Sequence, residues 1–150
     1  MREFMMMLGW GGIYAPTAFG AIGSIIGCTK AGQAALGAMI DVEGGYGRFI
    51  GLSVLPSSNV IYGVVIMFSL NREVTSANAA GLAAIGLLSG LAIGVGGLFQ
   101  GLCCASGINT AKAKPEVFGL SAAPAAIVEG FCVFAFIFAL VIAGGIESAG

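Results

Sequence analysis

The sequence predicts an all-α membrane protein of four transmembrane helices, arranged as two tandem hairpins. Three observations predict it. The 150-residue chain is 58% hydrophobic and only 9% charged, with a mean hydropathy of +1.02, whereas soluble domains are roughly 25% charged. Four charge-poor windows follow one another: Phe4–Thr29, Phe49–Asn71, Val74–Ala111 and Val117–Ile146, the last interrupted by Glu129 alone. A span needs about 20 apolar residues, so each window holds one. An internal repeat completes the picture. Gly23-Ser-Ile-Ile-Gly27 matches Gly97-Leu-Phe-Gln-Gly101, and Pro56 and Pro124 hold similar places in the helices that follow. The first hairpin is expected over residues 1–73, with spans of about 5–40 and 49–70, and the second over 74–150, with spans of about 77–111 and 117–146. Two parallel repeats in a membrane point to a pseudo-symmetric assembly.

The first span opens on Arg2 and Met5-Met-Met-Leu8. This imitates a secretory signal, but the apolar run continues to Thr29, past the length of a signal core, and reads as a retained span. It carries Gly20, Gly23 and Gly27. The connection Asp41-Val-Glu-Gly-Gly-Tyr-Gly-Arg48 is polar, and Gly44, Gly45 and Gly47 suit a turn. In the second span Leu55, Ser58, Asn59 and Tyr62 follow i, i+3, i+4, i+7 spacing and share one helical face. Pro56 lacks an amide hydrogen and crowds the preceding turn, so carbonyls near it are left free.

After Asn71-Arg-Glu-Val-Thr-Ser76, the third span carries Gly86, Gly90, Gly94, Gly97 and Gly101. Small residues at four-residue spacing let helices approach closely in lipid. Two uses remain open: one intramolecular helix pair, or the crowded inner wall of a ring. The third window is too long for a single crossing, so its excess projects into water as helix. Pro115, in Lys112-Ala-Lys-Pro-Glu116, stops it. The second and fourth spans are rich in Val, Ile and Phe, as a lipid-facing layer should be. Lys30, Arg48, Lys112 and Lys114 lie toward one face, against Arg2 and Arg72 toward the other. The positive-inside rule then places the two hairpin loops in the cytoplasm and both termini outside the cell.

Composition also excludes functions. The net charge of -1 leaves no basic patch for nucleic acid. There is no histidine, which removes the commonest metal ligand and the commonest general base near neutral pH. No P-loop and no catalytic dyad is present. Cys28, Cys103, Cys104 and Cys132 form no CxxC pair and fall in apolar stretches, where cysteine acts as a small hydrophobe.

Glu129 is the exception in this apolar chain. A charge at the bilayer centre costs roughly 3 kcal/mol, so such residues mark ion paths. Arg48 to Asn59 is 11 residues, Gln100 to Lys112 is 12 and Glu116 to Glu129 is 13. At 1.5 Å per residue, three spans place polar groups roughly 16–20 Å in from the loops, at one level. Singly, each has a plainer role: Gln100 and Asn59 as interhelical hydrogen-bond glue, Ser58 bonded back to its own helix, Tyr62 as an interfacial anchor. Together, a free carbonyl, a hydroxyl, two amide oxygens and a carboxylate make an all-oxygen set, which hard cations favour. One carboxylate neutralises one monovalent charge. A proton carrier needs only a carboxylate in an apolar pocket, where the neutral form is favoured; the additional oxygens favour sodium, with lithium as a corollary and a proton as the alternative.

Leu55-Pro-Ser-Ser-Asn-Val-Ile-Tyr-Gly63, Phe99-Gln-Gly101, Lys114-Pro-Glu116 and the surroundings of Glu129 resemble the proteolipid (c or K) subunit of V-type ATPases, in particular the bacterial four-helix, sodium-transporting kind. The resemblance covers essentially the whole chain. It implies the protomer of a homo-oligomeric rotor ring in the cell membrane, with no catalytic site of its own, in a complex that couples ion movement to ATP hydrolysis. It implies a Na+ site at the Leu55 carbonyl, Ser58, Asn59, Gln100 and Glu129, closed by Tyr62. Implied partners are a membrane stator with an essential Arg, the central stalk and the lipid bilayer, with no nucleic acid. Ser58 stands where the family has Thr, and Asn59 where it has Gln on a side chain one methylene longer. A small oligomeric exporter with an essential intramembrane Glu is the reading from another class.

Overall fold

The computed structural model describes residues 1–146; the end of the expected second hairpin, 147–150, lies outside the described residues. Four helical segments are long and apolar enough to cross a membrane, and no strand occurs among the described residues. The segments are α1 (Arg2–Asp41), α2 (Tyr46–Ser53) continued through a 3-10 turn (Leu55–Ser57) into α3 (Ser58–Leu70), α4 (Ala79–Ala113), and a 3-10 turn (Pro115–Val117) leading into α5 (Phe118–Ala143).

Both glycine-rich helices exceed the bilayer. The 40 residues of α1 and the 35 of α4 reach about 60 and 52 Å, against roughly 30 Å of hydrocarbon. Their C-terminal ends lie together, because Lys112 Nζ pairs with Asp41 Oδ2 at 2.8 Å. At the opposite end, Arg72 donates to the carbonyls of Ser69 at 2.8 Å, Ile146 at 2.8 Å and Ala143 at 3.3 Å. It thereby ties the end of α3 to the end of α5.

The polar connection between the first two spans is shorter than its composition indicates. Helix α1 runs on through Asp41 and α2 begins at Tyr46. Gly44 (φ +137°) and Gly45 (φ +70°) make the reversal in backbone regions that favour glycine. Gly47 is helical.

The glycine stripes resolve into one intramolecular pair, α1 against α4. A Cβ on Gly86 would overlap the Gly12 carbonyl oxygen, one on Gly23 the Gly94 carbonyl, and one on Gly101 the backbone of Gly27. Helices α3 and α5 pack outside this pair, α3 chiefly on α1 and α5 on α4. About 17% of the apolar stretch of the segment ending in α5 is buried within the chain, against 44% for α1, so α5 is the helix that the chain itself covers least.

Two apolar clusters form the core. One gathers Ile13, Ile66, Leu70, Leu82 and Ile93. The other gathers Ala31, Ala35, Phe49, Leu52 and Ile108. Between them in the chain order of each helix lie Ser24 (6% exposed), Asn59 (0%) and Gln100 (1%). Buried polar groups require partners, and the network around these three supplies them for every side-chain atom but Asn59 Oδ1.

Candidate ion-binding site

The site begins with a break in a helix. Pro56 interrupts the second span, and the chain passes through a 3-10 turn before resuming as α3. The Ser57 N–H donates to the Val54 carbonyl at 3.0 Å, the shorter bond of a 3-10 turn. Pro124, at the equivalent place in the repeat, leaves α5 unbroken. The two prolines therefore differ in effect.

The break is braced from α1. Ser24 Oγ donates to the Pro56 carbonyl at 2.7 Å and accepts from the Val60 N–H at 3.0 Å. Asn59 Nδ2 also donates to the Pro56 carbonyl, at 3.3 Å. The Leu55 carbonyl lies 3.1 Å from Ser58 Oγ, and Ser58 Oγ lies 2.9 Å from Glu129 Oε2. A hydroxyl has one proton, so Ser58 donates to one of these oxygens at a time.

Donors converge on the Glu129 carboxylate. Besides Ser58, Gln100 Nε2 donates to Oε2 at 2.6 Å, and the Tyr62 hydroxyl donates to Oε1. The Tyr62 ring stacks on Phe136, with centroids 5.1 Å apart. Asn59 Nδ2 donates to Gln100 Oε1 at 2.9 Å. Asn59 Oδ1 is buried with no hydrogen-bond partner.

All six expected positions thus fall in one hydrogen-bonded network drawn from α3, α4, α5 and the 3-10 turn. Leu55 enters through its carbonyl and reaches Glu129 through Ser58. Asn59 reaches it only through Gln100. Among the described residues the ion pair Lys112–Asp41 is the one salt bridge, and none neutralises Glu129. No group of three His, Cys, Asp or Glu that could hold a metal ion occurs among them either. The groups gathered there are a carboxylate, a hydroxyl, two amides and a carbonyl, whose oxygens are of the kind hard cations favour; Gln100 meets the carboxylate through Nε2 and not through its oxygen. The buried, unpartnered Asn59 Oδ1 adds an acceptor in want of a positive or donating group.

Two contributors are hard to find from sequence. Ser24 lies inside a glycine stripe, where it reads as one more small residue; its signal is a hydroxyl at lipid depth. Phe136 sits seven residues beyond Glu129, hence on the same face. The four cysteines are all free.

Residues 11–70 match the family model for the C subunit of ATP synthase. That match covers the first hairpin, including Ser24 and Leu55 to Tyr62, and ends before Gln100 and Glu129. The chain is also 32% identical over 137 residues to the K subunit of the A-type ATP synthase of Methanocaldococcus jannaschii, an alignment that covers 89% of this chain and 62% of the relative. The chain therefore spans less than two-thirds of the length of the curated relative it matches.

Proposed function

We propose that the chain belongs to the family of ATP synthase C subunits, whose model residues 11–70 match, as a c/K-type proteolipid of the membrane rotor of a V-type ATPase, carrying Na+ across the membrane as its ring turns. The single observation that carries this reading is Glu129: a carboxylate midway along the helix least covered by the rest of the chain, held by donors from α3 and α4 and, among the described residues, matched by no cationic side chain.

The physical logic is electrostatic. A bare carboxylate carried through hydrocarbon is costly, whereas one cancelled by a bound cation is not. A site on the outer wall of a ring can therefore travel through lipid only when loaded. Glu129, Gln100, Ser58 and the Leu55 carbonyl supply oxygens for Na+, Asn59 completes the polar set, and the Tyr62 hydroxyl closes over Oε1. At a static membrane partner with an essential Arg, the cation leaves and the site reloads from the other side. Moving one charge across 100 mV takes about 2.3 kcal/mol, so several ions per turn can be matched to ATP hydrolysis in the soluble sector. In this role the chain holds no ATP. The two hairpins, 1–73 and 74–150, are units of one duplication of which the second alone carries a carboxylate deep within a span, Glu129. The α1–α4 pair is the inner wall of the ring. The loops contact the central stalk from the cytoplasm, and the termini face outward.

Carbodiimide labelling tests the ion. The reagent attacks a protonated carboxyl, so a bound Na+ should shield Glu129. Protection by millimolar Na+ at neutral pH is expected. Labelling that depends on pH and ignores Na+ makes the cargo a proton. If Glu129 is not labelled under either condition, the rotor site is misassigned.

A further inference from the structure

Each turn of an α-helix is closed by an N–H that bonds to the carbonyl four residues earlier. Just past the break in the second span, that pair is the Val60 N–H and the Pro56 carbonyl. A hydroxyl from another helix serves both. Ser24 Oγ, on α1, accepts from the Val60 N–H at 3.0 Å and donates to the Pro56 carbonyl at 2.7 Å. Ser24 is buried, and a buried hydroxyl needs partners; these two bonds use both its capacities. A side chain inserted into a helix ladder opens the helix locally. Helix α3 accordingly begins only at Ser58, and Leu55–Ser57 are wound as a 3-10 turn.

The opened turn carries Ser58 and Asn59 and directly follows the Leu55 carbonyl. A 3-10 turn advances about 120° per residue and an α-helix about 100°. Rewinding the three steps from Leu55 to Ser58 as α-helix would swing the two residues by about 60° relative to each other. Ser58 Oγ lies 2.9 Å from Glu129 Oε2 and 3.1 Å from the Leu55 carbonyl, an arrangement that such a swing would undo. The repeat supplies the comparison. In the match of Gly23–Gly27 with Gly97–Gly101, Leu98 stands where Ser24 does, and Pro124 stands where Pro56 does. Leucine has no hydroxyl to insert, and α5 runs through Pro124 unbroken. Proline by itself therefore does not open a span in this fold.

We infer that Ser24 is a positioning residue of the ion site: its hydroxyl, inserted between Pro56 and Val60, holds that turn open and so fixes where the Leu55 carbonyl and Ser58 Oγ stand against Glu129. It acts through α3 and the 3-10 turn, with no hydrogen bond of its own to the carboxylate. The inference rests on the reading of Glu129 as the ion carrier, and on no particular state of its charge.

The test uses the full chain assembled in lipid. The first measurement is the Na+ concentration that halves carbodiimide labelling of Glu129. Ser24→Ala should raise it roughly ten-fold, the effect of misplacing one ligand. Residues that act as a unit are non-additive, so in a Ser58→Ala background the same substitution should add much less. An unchanged midpoint in Ser24→Ala, even with a lower melting temperature, makes Ser24 a brace for stability alone and overturns the inference. The full shift in both backgrounds also overturns it, because Ser24 then acts by a route that bypasses Ser58. Should Ser24→Ala not assemble, Ser24→Cys takes its place: a thiol is a weak donor, so the midpoint should again rise, and an unchanged one refutes the role. The second measurement does not involve the ion. Backbone 13C shifts of Leu55 to Asn59 in solid-state NMR report the local winding and should move toward α-helical values in the Ser24 variant; unmoved shifts refute the inference. If Na+ fails to protect Glu129 in the unsubstituted protein, the sodium reading has failed, and these shifts alone decide the role of Ser24.

Discussion

At Glu129 the two carboxylate oxygens have different company. Oε2 faces Ser58 and Gln100, while Oε1 faces the Tyr62 hydroxyl. Replacing Tyr62 by Phe removes that hydroxyl and keeps a ring to stack on Phe136. A hydrogen bond to a charged group contributes about 1.5–3 kcal/mol, so Tyr62→Phe should raise the Na+ concentration needed to protect Glu129 from carbodiimide by roughly ten- to a hundred-fold. The assembly itself should survive. Ser58→Thr retains the hydroxyl and should behave as the unsubstituted protein in the same assay, whereas Ser58→Ala should weaken protection. The face shared by Leu55, Ser58, Asn59 and Tyr62 is legible from helical spacing alone. The pairing of Asn59 with Gln100 instead of Glu129 is not. Spacing fixes which way a side chain leaves its helix, while its partner depends on how far the neighbouring helix stands off.

On the scale of elements, the broken second span matters most. A proline in a helix removes one amide donor and crowds a turn, and this much is readable at Pro56. The serine that braces the break from α1 is not readable in the same way, because it comes from a helix 32 residues earlier in the chain. Ser24→Ala would leave the Val60 N–H without its side-chain acceptor and the Pro56 carbonyl without its closest donor. A loss of about 1–3 kcal/mol is expected for stranding a buried group of this kind, detectable as a lower temperature of thermal unfolding or dissociation in detergent. Pro56 and Pro124 also show the limit of repeat matching. They occupy similar places, yet only the first opens its helix. At Pro56 the freed carbonyl is taken up by Ser24 and Asn59.

For the whole molecule, the decisive packing is between the two glycine-rich helices. Gly86→Val would drive a side chain into the Gly12 carbonyl and should force α1 and α4 apart. Loss of the assembled form is expected, read as disappearance of a detergent-resistant oligomer. In the unsubstituted protein that oligomer should be a closed ring of many copies by native mass spectrometry. A dimer would instead favour the small exporter. Small changes in helix packing alter where a ring closes, so the copy number belongs to the assembly and not to the protomer.

Four apolar helical segments and the shared level of Asn59, Gln100 and Glu129 are written in the sequence, because hydropathy and helical period are local properties of the chain. Charge-free windows locate the membrane helices, and residue counts from the loops place Asn59, Gln100 and Glu129 at a common level. The tertiary structure decided that the glycine stripes of α1 and α4 meet each other, that Ser24 holds the break at Pro56, and that Asn59 gives its amide to Gln100. Each of these depends on contacts between residues far apart in the chain, where distance and orientation are set by packing and not by periodicity.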